Sequence, residues 1–223
     1  MKILIDSADI NEITALYKKF HFDGVTTNPK LLSRVDGNPL EILKEIRKNI
    51  PEDSELHVQV VSSTKEEMIL EAEYILKNLG ENTCIKIPVC EEGYSVIRYL
   101  SSLGVQVTAT AIFSEAQALM AAHEGASFVA PYIHRINNKG YKGVETALEI
   151  QKGLIEQGCK TELLAAAFES VQQVIKIIKS GAGSVTVSPE LLKEMLFNAM
   201  TADAITDFYC DFSKKFNQKN MLG

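Results

Sequence analysis

The sequence lacks the features that mark membrane, nucleic-acid-binding and disulfide-bonded proteins. No apolar run approaches the ~20 residues that a membrane span needs. The first apolar stretch, in MKILIDSADI, is too short for a signal peptide and is interrupted by Asp6. Acidic residues outnumber basic ones by 29 to 23 and no Lys/Arg run occurs, which argues against a nucleic-acid-binding face. We therefore expect a cytoplasmic protein that binds neither membranes nor nucleic acids.

The sequence also lacks the spacings of a metal or cofactor site. Its four cysteines, Cys84, Cys90, Cys159 and Cys210, show neither a CxxC motif nor metal-ligand spacing. Reduced structural thiols are the simplest interpretation of them. No GxGxxG motif follows the first apolar run either. We expect no metal and no cofactor.

What the sequence does contain is a regular alternation of short β-rich runs and amphipathic helical stretches. Its 223 residues, 46% of them hydrophobic and 23% charged, are typical of an ordinary globular chain. Eight β-rich runs occur, at 2–6, 24–28, 56–61, 84–88, 106–111, 128–133, 162–167 and 184–188. Helical periodicity lies between them, most clearly at 66–79. Residues with N-cap chemistry mark the helix starts at Ser7, Ser62 to Thr64, Ser114, Ser170 and Ser188.

Eight strands alternating with helices predict a single α/β domain over residues 1–223, folded as a (β/α)8 TIM barrel. A doubly wound open sheet is the alternative, although such a sheet would normally use fewer strands. A last amphipathic helix, at about 198–216, is more than the barrel needs. We expect this helix to pack elsewhere.

The strand period of two separates side chains that face the helices from side chains that face the barrel axis. The outward parity is apolar, from Ile3 and Ile5 on the first strand to Val185 and Val187 on the last. The inward parity is polar near the C-terminal ends of seven strands, where the active sites of such barrels lie. Its members are Asp6, Thr26, Asn28, Gln59, Lys86, Thr108, Thr110, Tyr132 and Ser188.

Lys86 is the most informative of these residues, because lysine is rarely buried and this one lies between Ile85 and Ile87. A buried polar network around a stabilised lysine is the purely structural interpretation. Catalysis is the other, since a desolvated amine more easily stays neutral and a neutral amine attacks a carbonyl. The resulting Schiff base acts as an electron sink for the adjacent C–C bond.

The neighbouring groups suit that chemistry. Asp6 and Tyr132 would transfer the protons, while Gln59 and Thr110 would orient a water molecule. The inward side chains therefore favour a class I aldolase.

Three motifs resemble those of the small transaldolase family: DGVTTNP at 23–29, IKIPV at 85–89 and VAPYIHRI at 129–136, with Asp6 on the first strand. The resemblance covers nearly the whole chain. It implies that Lys86 forms the Schiff base, that Asp6 handles protons and substrate hydroxyls, and that Asn28 binds the hydroxyls of the donor. Thr26 and Ser188 are expected to bind substrate beside them.

The family divides at two positions, which have glutamate and phenylalanine in transaldolases but glutamine and tyrosine in the fructose-6-phosphate aldolase branch. Gln59 and Tyr132 resemble the aldolase branch. The resemblance implies cleavage of a ketose phosphate such as fructose 6-phosphate into dihydroxyacetone and glyceraldehyde 3-phosphate. One alternative is a transaldolase that moves a dihydroxyacetone unit between sugar phosphates of the pentose phosphate pathway. Another is a non-catalytic sugar-binding relative.

The resemblance also implies a homo-oligomer, in which the last helix crosses a neighbouring subunit and pentamers pair into decamers. It further implies a phosphate site at Arg135. After the seventh strand, however, relatives read S-F-K or S-F-R where this chain reads AAFES, with Ala167 and Glu169 in place of the serine and the base. We expect Glu169 to repel phosphate, unless His134 and the loop at 137–143 compensate for it.

Overall fold

The computed structural model describes residues 1–222 and shows a closed barrel of eight parallel strands in chain order. The strands are β1 (Lys2–Asp6), β2 (Gly24–Thr26), β3 (Glu55–Gln59), β4 (Thr83–Pro88), β5 (Val107–Ile112), β6 (Phe128–Pro131), β7 (Glu162–Ala165) and β8 (Ser184–Val187). The sheet closes on itself because β1 pairs with both β2 and β8. The predicted (β/α)8 TIM barrel is confirmed, and the open sheet is wrong.

Eleven helices are found within residues 1–222. They are α1 (Ile10–Tyr17), α2 (Pro29–Leu32), α3 (Pro39–Asn49), α4 (Lys65–Leu79), α5 (Glu91–Ser102), α6 (Glu115–His123), α7 (Ile133–Asn137), α8 (Gly143–Glu156), α9 (Val171–Lys179), α10 (Pro189–Leu196) and α11 (Ala199–Phe216). None of these described helices is both long and apolar enough to span a bilayer.

Most predicted helix starts agree with the structure, and one is wrong. Thr64, Ser114 and Ser170 each accept a hydrogen bond from the first turn of the helix that follows. The wrong one is Ser7, since the cap of α1 is Asp9. The Ser7 hydroxyl accepts a hydrogen bond from the Asp9 N–H at 3.1 Å.

The barrel wall separates two apolar zones. The outward side chains of the strands are buried except for Ile3, which is half-buried, and Ile5, Val25, Ile85, Val107 and Val185 expose none of their surface. Inside the barrel, a buried cluster is formed by Leu4, Cys84, Phe128, Ala130 and Leu164. Burying one such large apolar side chain contributes about 1.5–3 kcal/mol. The polar side chains at the C-terminal ends of the strands therefore lie above a packed interior.

The chain divides into two compact units, Met1–Pro189 and Glu190–Gly223. The first contains the whole barrel and the helices from α1 to α9. The second contains α11, which confirms the predicted last helix and has no buried residue. A single domain over residues 1–223 stays a prediction, and its last residue, Gly223, lies outside the described residues.

Candidate active site

A cavity of about 480 Å³ lies at the C-terminal ends of the strands. Seven of the nine predicted site residues line it: Asp6, Asn28, Gln59, Lys86, Tyr132, Arg135 and Ser188. The other two contact lining residues, since Thr26 hydrogen-bonds to Asp6 and Thr110 to Tyr132. The sequence pattern thus converges on one cavity, while the chemical role of each side chain stays a prediction.

Lys86 lies on β4, at the base of this cavity, with 4% of its surface exposed. Its Nζ donates a hydrogen bond to the Thr27 carbonyl oxygen at 2.8 Å. Within residues 1–222 no carboxylate forms an ion pair with it. A backbone carbonyl therefore orients the amine without fixing it in an ion pair, which leaves the nitrogen able to attack once it is deprotonated.

Asp6 ends β1 and faces the same cavity. Its Oδ1 accepts a hydrogen bond from Thr26 Oγ1 at 2.7 Å, and Thr26 Oγ1 lies 2.6 Å from Thr186 Oγ1. Burial raises the pKa of the Asp6 carboxyl, and the charge of Lys86, the Thr26 hydrogen bond and the charge of Arg34 oppose this only in part. A raised pKa suits a carboxyl group that must both take up and release a proton.

Tyr132 follows β6 and is held from three sides. Its hydroxyl lies 2.8 Å from Thr110 Oγ1 on β5. The Phe113 ring meets it edge-on at 6.0 Å between centroids, and the Arg135 guanidinium carbon lies 5.0 Å from its ring centroid. These contacts fix the phenol at the cavity wall, where it can hold a water molecule or a substrate hydroxyl.

Two side-chain amides line the cavity beside the lysine. Gln59 is opposite Lys86 in the β3–β4 register, and its Oε1 is buried with no hydrogen-bond partner in residues 1–222. A buried acceptor without a partner is costly, so this oxygen is suited to a hydroxyl brought by a ligand. Asn28 uses its Oδ1 to cap α2, accepting from the Leu31 N–H at 3.0 Å.

The cavity wall also contains strained backbone. Ala111 and Ala167 both line the cavity, and both have left-handed φ angles, of 57° and 58°. Such a conformation costs an L-residue roughly 1–2 kcal/mol. Ala111 lies where the register of β5 with β6 shifts, between Ala109 and Ile112. Strain of this kind is typical of functional sites.

The part of the cavity wall that follows β7 differs from expectation. Glu169 does not line the cavity, and its Oε1 lies 2.5 Å from His134 Nδ1, although without hydrogen-bond alignment. Glu169 thus lies outside the cavity lining, and its repulsion of phosphate stays a prediction. The sequence interpretation also missed two cations that line the cavity, Lys30 and Arg34. Their signal was present, since they follow the TTNP motif at helical spacing.

A second cavity, of about 660 Å³, lies at the opposite end of the barrel. Within residues 1–222, the side chains whose ligand atoms lie close enough to surround a metal ion are Glu55, His57 and Cys84. Lys2 already pairs with Glu55 at 2.8 Å, and burial strongly raises the pKa of the Cys84 thiol, which keeps it protonated. The cavity that contains Lys86 is smaller but holds the reactive groups, so we take it as the candidate active site.

Comparison with known proteins agrees with this geometry. The model of the family described as transaldolase/fructose-6-phosphate aldolase matches residues 3–222. A protein named "probable transaldolase" from Clostridium perfringens (strain ATCC 13124) is 33% identical over 218 residues, which cover 98% of this chain and 100% of that protein. Proteins of the same name from Chelativorans sp. (strain BNC1) and Brucella anthropi are each 36% identical over 214 residues, or 96% of this chain and 97% of each relative.

Proposed function

Because the chain belongs to the transaldolase/fructose-6-phosphate aldolase family, we propose that it is a class I aldolase whose Schiff base forms on Lys86. The observation that carries the proposal is the buried Lys86 amine at the base of a cavity shared with Asp6 and Tyr132. The proposed substrate is a ketose phosphate such as fructose 6-phosphate. The products are dihydroxyacetone and glyceraldehyde 3-phosphate.

The chemistry begins when neutral Lys86 attacks the C2 carbonyl of the ketose. Proton transfer to the carbinolamine hydroxyl then expels water and leaves an iminium ion. Removal of the C4 hydroxyl proton breaks the C3–C4 bond, the electron pair of that bond moves into the iminium, and an enamine and a free aldehyde result. Asp6 is the proposed base, since its Thr26 and Thr186 hydrogen-bond chain orients the carboxylate at the cavity.

Release of the donor completes the cycle. The enamine takes a proton at C3, water adds to the iminium carbon, and dihydroxyacetone leaves as Lys86 is regenerated. Tyr132 is the proposed residue that holds and activates this water, with Thr110 at 2.8 Å fixing its hydroxyl and the buried Gln59 Oε1 accepting a further hydrogen bond. A transaldolase would instead keep the enamine until a second aldehyde arrives.

Borohydride reduction in the presence of dihydroxyacetone tests the covalent step. We expect one three-carbon unit on the peptide that contains Lys86, detected by intact mass and peptide mapping. Lys86→Met should abolish both labelling and turnover, whereas Lys44→Met, on α3 and outside the cavity lining, should keep both. Labelling that survives Lys86→Met would refute the mechanism. Sugar binding without any labelling of the unmodified protein would favour the non-catalytic relative.

The balance between hydrolysis and transfer tests the assignment to the aldolase branch. Free dihydroxyacetone should accumulate during cleavage of fructose 6-phosphate without any acceptor aldehyde. Tyr132→Phe with Gln59→Glu should lower the release of free ketone by about tenfold or more, since a positioned proton-transfer group typically contributes about 10²–10⁴-fold. Turnover of the unmodified protein only when an acceptor is present would favour the transaldolase alternative, which the names of its relatives also support.

A further inference from the structure

The strand-seven side of the cavity contributes no cation to substrate binding. Ala166, Ala167 and Phe168 line the cavity there, and they have no charged group. The carboxylate that follows them, Glu169, is close to His134 instead. An anionic end of the substrate therefore has to find its counter-charges on another part of the wall.

Those counter-charges lie on two other parts of the wall, one after β2 and one after β6. Lys30 and Arg34 line the cavity after β2, Arg135 lines it after β6, and Asp6 is the one carboxylate among the lining residues. None of the three cations forms an ion pair within residues 1–222, in a chain whose formal net charge is −6. Three exposed cations gathered around one carboxylate leave a local excess of positive charge, which attracts and binds anions.

The backbone explains why Lys30 and Arg34 share one side. Asn28 and Pro29 begin α2, and the Arg34 N–H donates to the Leu31 carbonyl at 3.1 Å, which continues the turn beyond the helix. Residues four apart in such a turn lie on the same face. The charge of Arg34 also reaches Asp6, where it lowers the pKa of the carboxyl. Arg34 and Asp6 therefore share one cavity, which places the guanidinium on the wall that would surround a sugar phosphate.

We propose that Lys30 and Arg34, together with Arg135, bind the phosphate of a phosphorylated substrate, so that the α2 segment determines specificity for phosphorylated acceptors. This inference rests on the proposed function. Arg34 presents a planar fork of donors that matches phosphate oxygens, and Lys30 adds a point charge one turn away. The substrate class is a phosphorylated aldehyde, or the ketose phosphate made from it.

Binding of an unreactive polyol phosphate tests the proposal without any turnover. Sorbitol 6-phosphate and unphosphorylated sorbitol would be titrated by calorimetry into the native protein, Lys30→Gln, Arg34→Gln and the double variant. We expect the double variant to bind sorbitol 6-phosphate roughly 10- to 100-fold more weakly, as the loss of charge-assisted hydrogen bonds implies. Lys48→Gln removes the same charge from α3, outside the cavity lining, and should bind like the native protein. Equal affinities of the double variant and Lys48→Gln would overturn the proposal.

Kinetics give a second readout. The ratio of kcat/KM for condensing dihydroxyacetone with glyceraldehyde 3-phosphate to that with glyceraldehyde should fall about tenfold or more in Arg34→Gln, mainly through KM. A ratio that stays at the native value would contradict the proposal. Borohydride trapping on each variant separates the Schiff-base mechanism from the phosphate-binding role of α2. A double variant that loses phosphate binding but is still trapped supports both hypotheses. Native phosphate affinity in the double variant refutes only the role of α2, and absent trapping in the native protein refutes only the Schiff base.

Discussion

Asp6 combines a chemical role with an unfavourable environment for its own charge. Burial raises its pKa above the ordinary value even though Lys86 and Arg34 both favour the carboxylate. A carboxyl group whose pKa is raised on folding destabilises the folded state at pH values well above its ordinary pKa, neutral pH included. That destabilisation shrinks as the pH falls from the raised pKa toward the ordinary pKa, below which it is lost.

Replacing Asp6 with asparagine should therefore separate function from stability. We expect Asp6→Asn to lower kcat by about 10²–10⁴-fold, the usual contribution of a positioned proton-transfer group. Its Tm at pH 7 should be higher than that of the native protein, and the difference should shrink as the pH is lowered toward 5. Calorimetric scans across this range, beside an activity assay, measure both effects. A lower Tm at pH 7 would mean that the ionised carboxylate stabilises the fold.

Which residues reach the cavity was predictable where strand geometry decides it. The period of two assigns Asp6, Gln59 and Lys86 to the barrel interior without any knowledge of loops. Lys30 and Arg34 lie beyond the end of β2, where no strand period applies and the direction of a side chain depends on the turn. Their helical spacing after the TTNP motif places both on one face, but only the structure shows that this face borders the cavity.

The group formed by Glu55, His57 and Cys84 was equally hard to predict, because its members come together across strands. His57 meets Cys84 only because of the register in which Leu56 pairs with Thr83 and Gln59 with Lys86. A shift of one residue would turn each side chain to the other face. No spacing within one segment signals such a group, since its members come from two strands.

At the scale of elements, α7 depends on the first residue of α8. A Cβ atom at Gly143 would lie 2.2 Å from the Ile133 carbonyl oxygen, a distance that forces the backbone to move. The Gly143 N–H also donates to Asn137 Oδ1 at 2.8 Å, which ties the end of α7 to the start of α8. The position of Arg135, on α7, thus depends on close backbone contact.

Gly143→Ala should disturb both stability and phosphate recognition. We expect a loss of about 1–3 kcal/mol in the free energy of unfolding, the usual effect of overpacking, and a raised KM for the phosphorylated substrate as Arg135 shifts. Chemical denaturation and steady-state kinetics measure the two effects. Gly153→Ala, in the same helix, is the control, because its Cβ would meet only the flexible Leu119 side chain, whose nearest atom, Cδ2, is 3.2 Å away. Equal behaviour of the two variants would show that the Gly143 contact does not position α7.

At the scale of the whole molecule, α11 presents apolar side chains without a described partner surface. No residue of α11 is buried, and Ile205, Phe208 and Tyr209 expose 61%, 71% and 51% of their surfaces. With Phe212 and Phe216, whose ring centroids are 5.0 Å apart, they recur at helical spacing. Apolar stripes of this kind mark interaction surfaces. We propose that α11 binds a neighbouring copy of the chain in a homo-oligomer, expected from the family resemblance to be a pentamer or decamer.

Light scattering at micromolar concentration tests this assembly. The native protein should have the mass of an oligomer, while Ile205→Ser with Phe208→Ser, or removal of residues from about 198 onward, should yield smaller species. Asp207→Ser lies between the two stripe residues and points to another side of the helix, so it should leave the mass unchanged. A monomeric native protein would contradict the proposal.

Closure of the barrel has a consequence for how the chain folds. The seam between β1 and β8 joins Lys2 to Ser184 and Ile5 to Val187, residues from the two ends of the first unit. During synthesis from the N-terminus, β1 therefore has to wait for almost the whole unit before its second neighbour exists. Until then the partial sheet has two unpaired edges, to which the strands of other nascent chains can add. Contacts between residues so far apart in sequence also slow folding, which lengthens that interval. The seam that completes the ring cannot form before β8 has been synthesised, and until then the open sheet exposes the chain to aggregation.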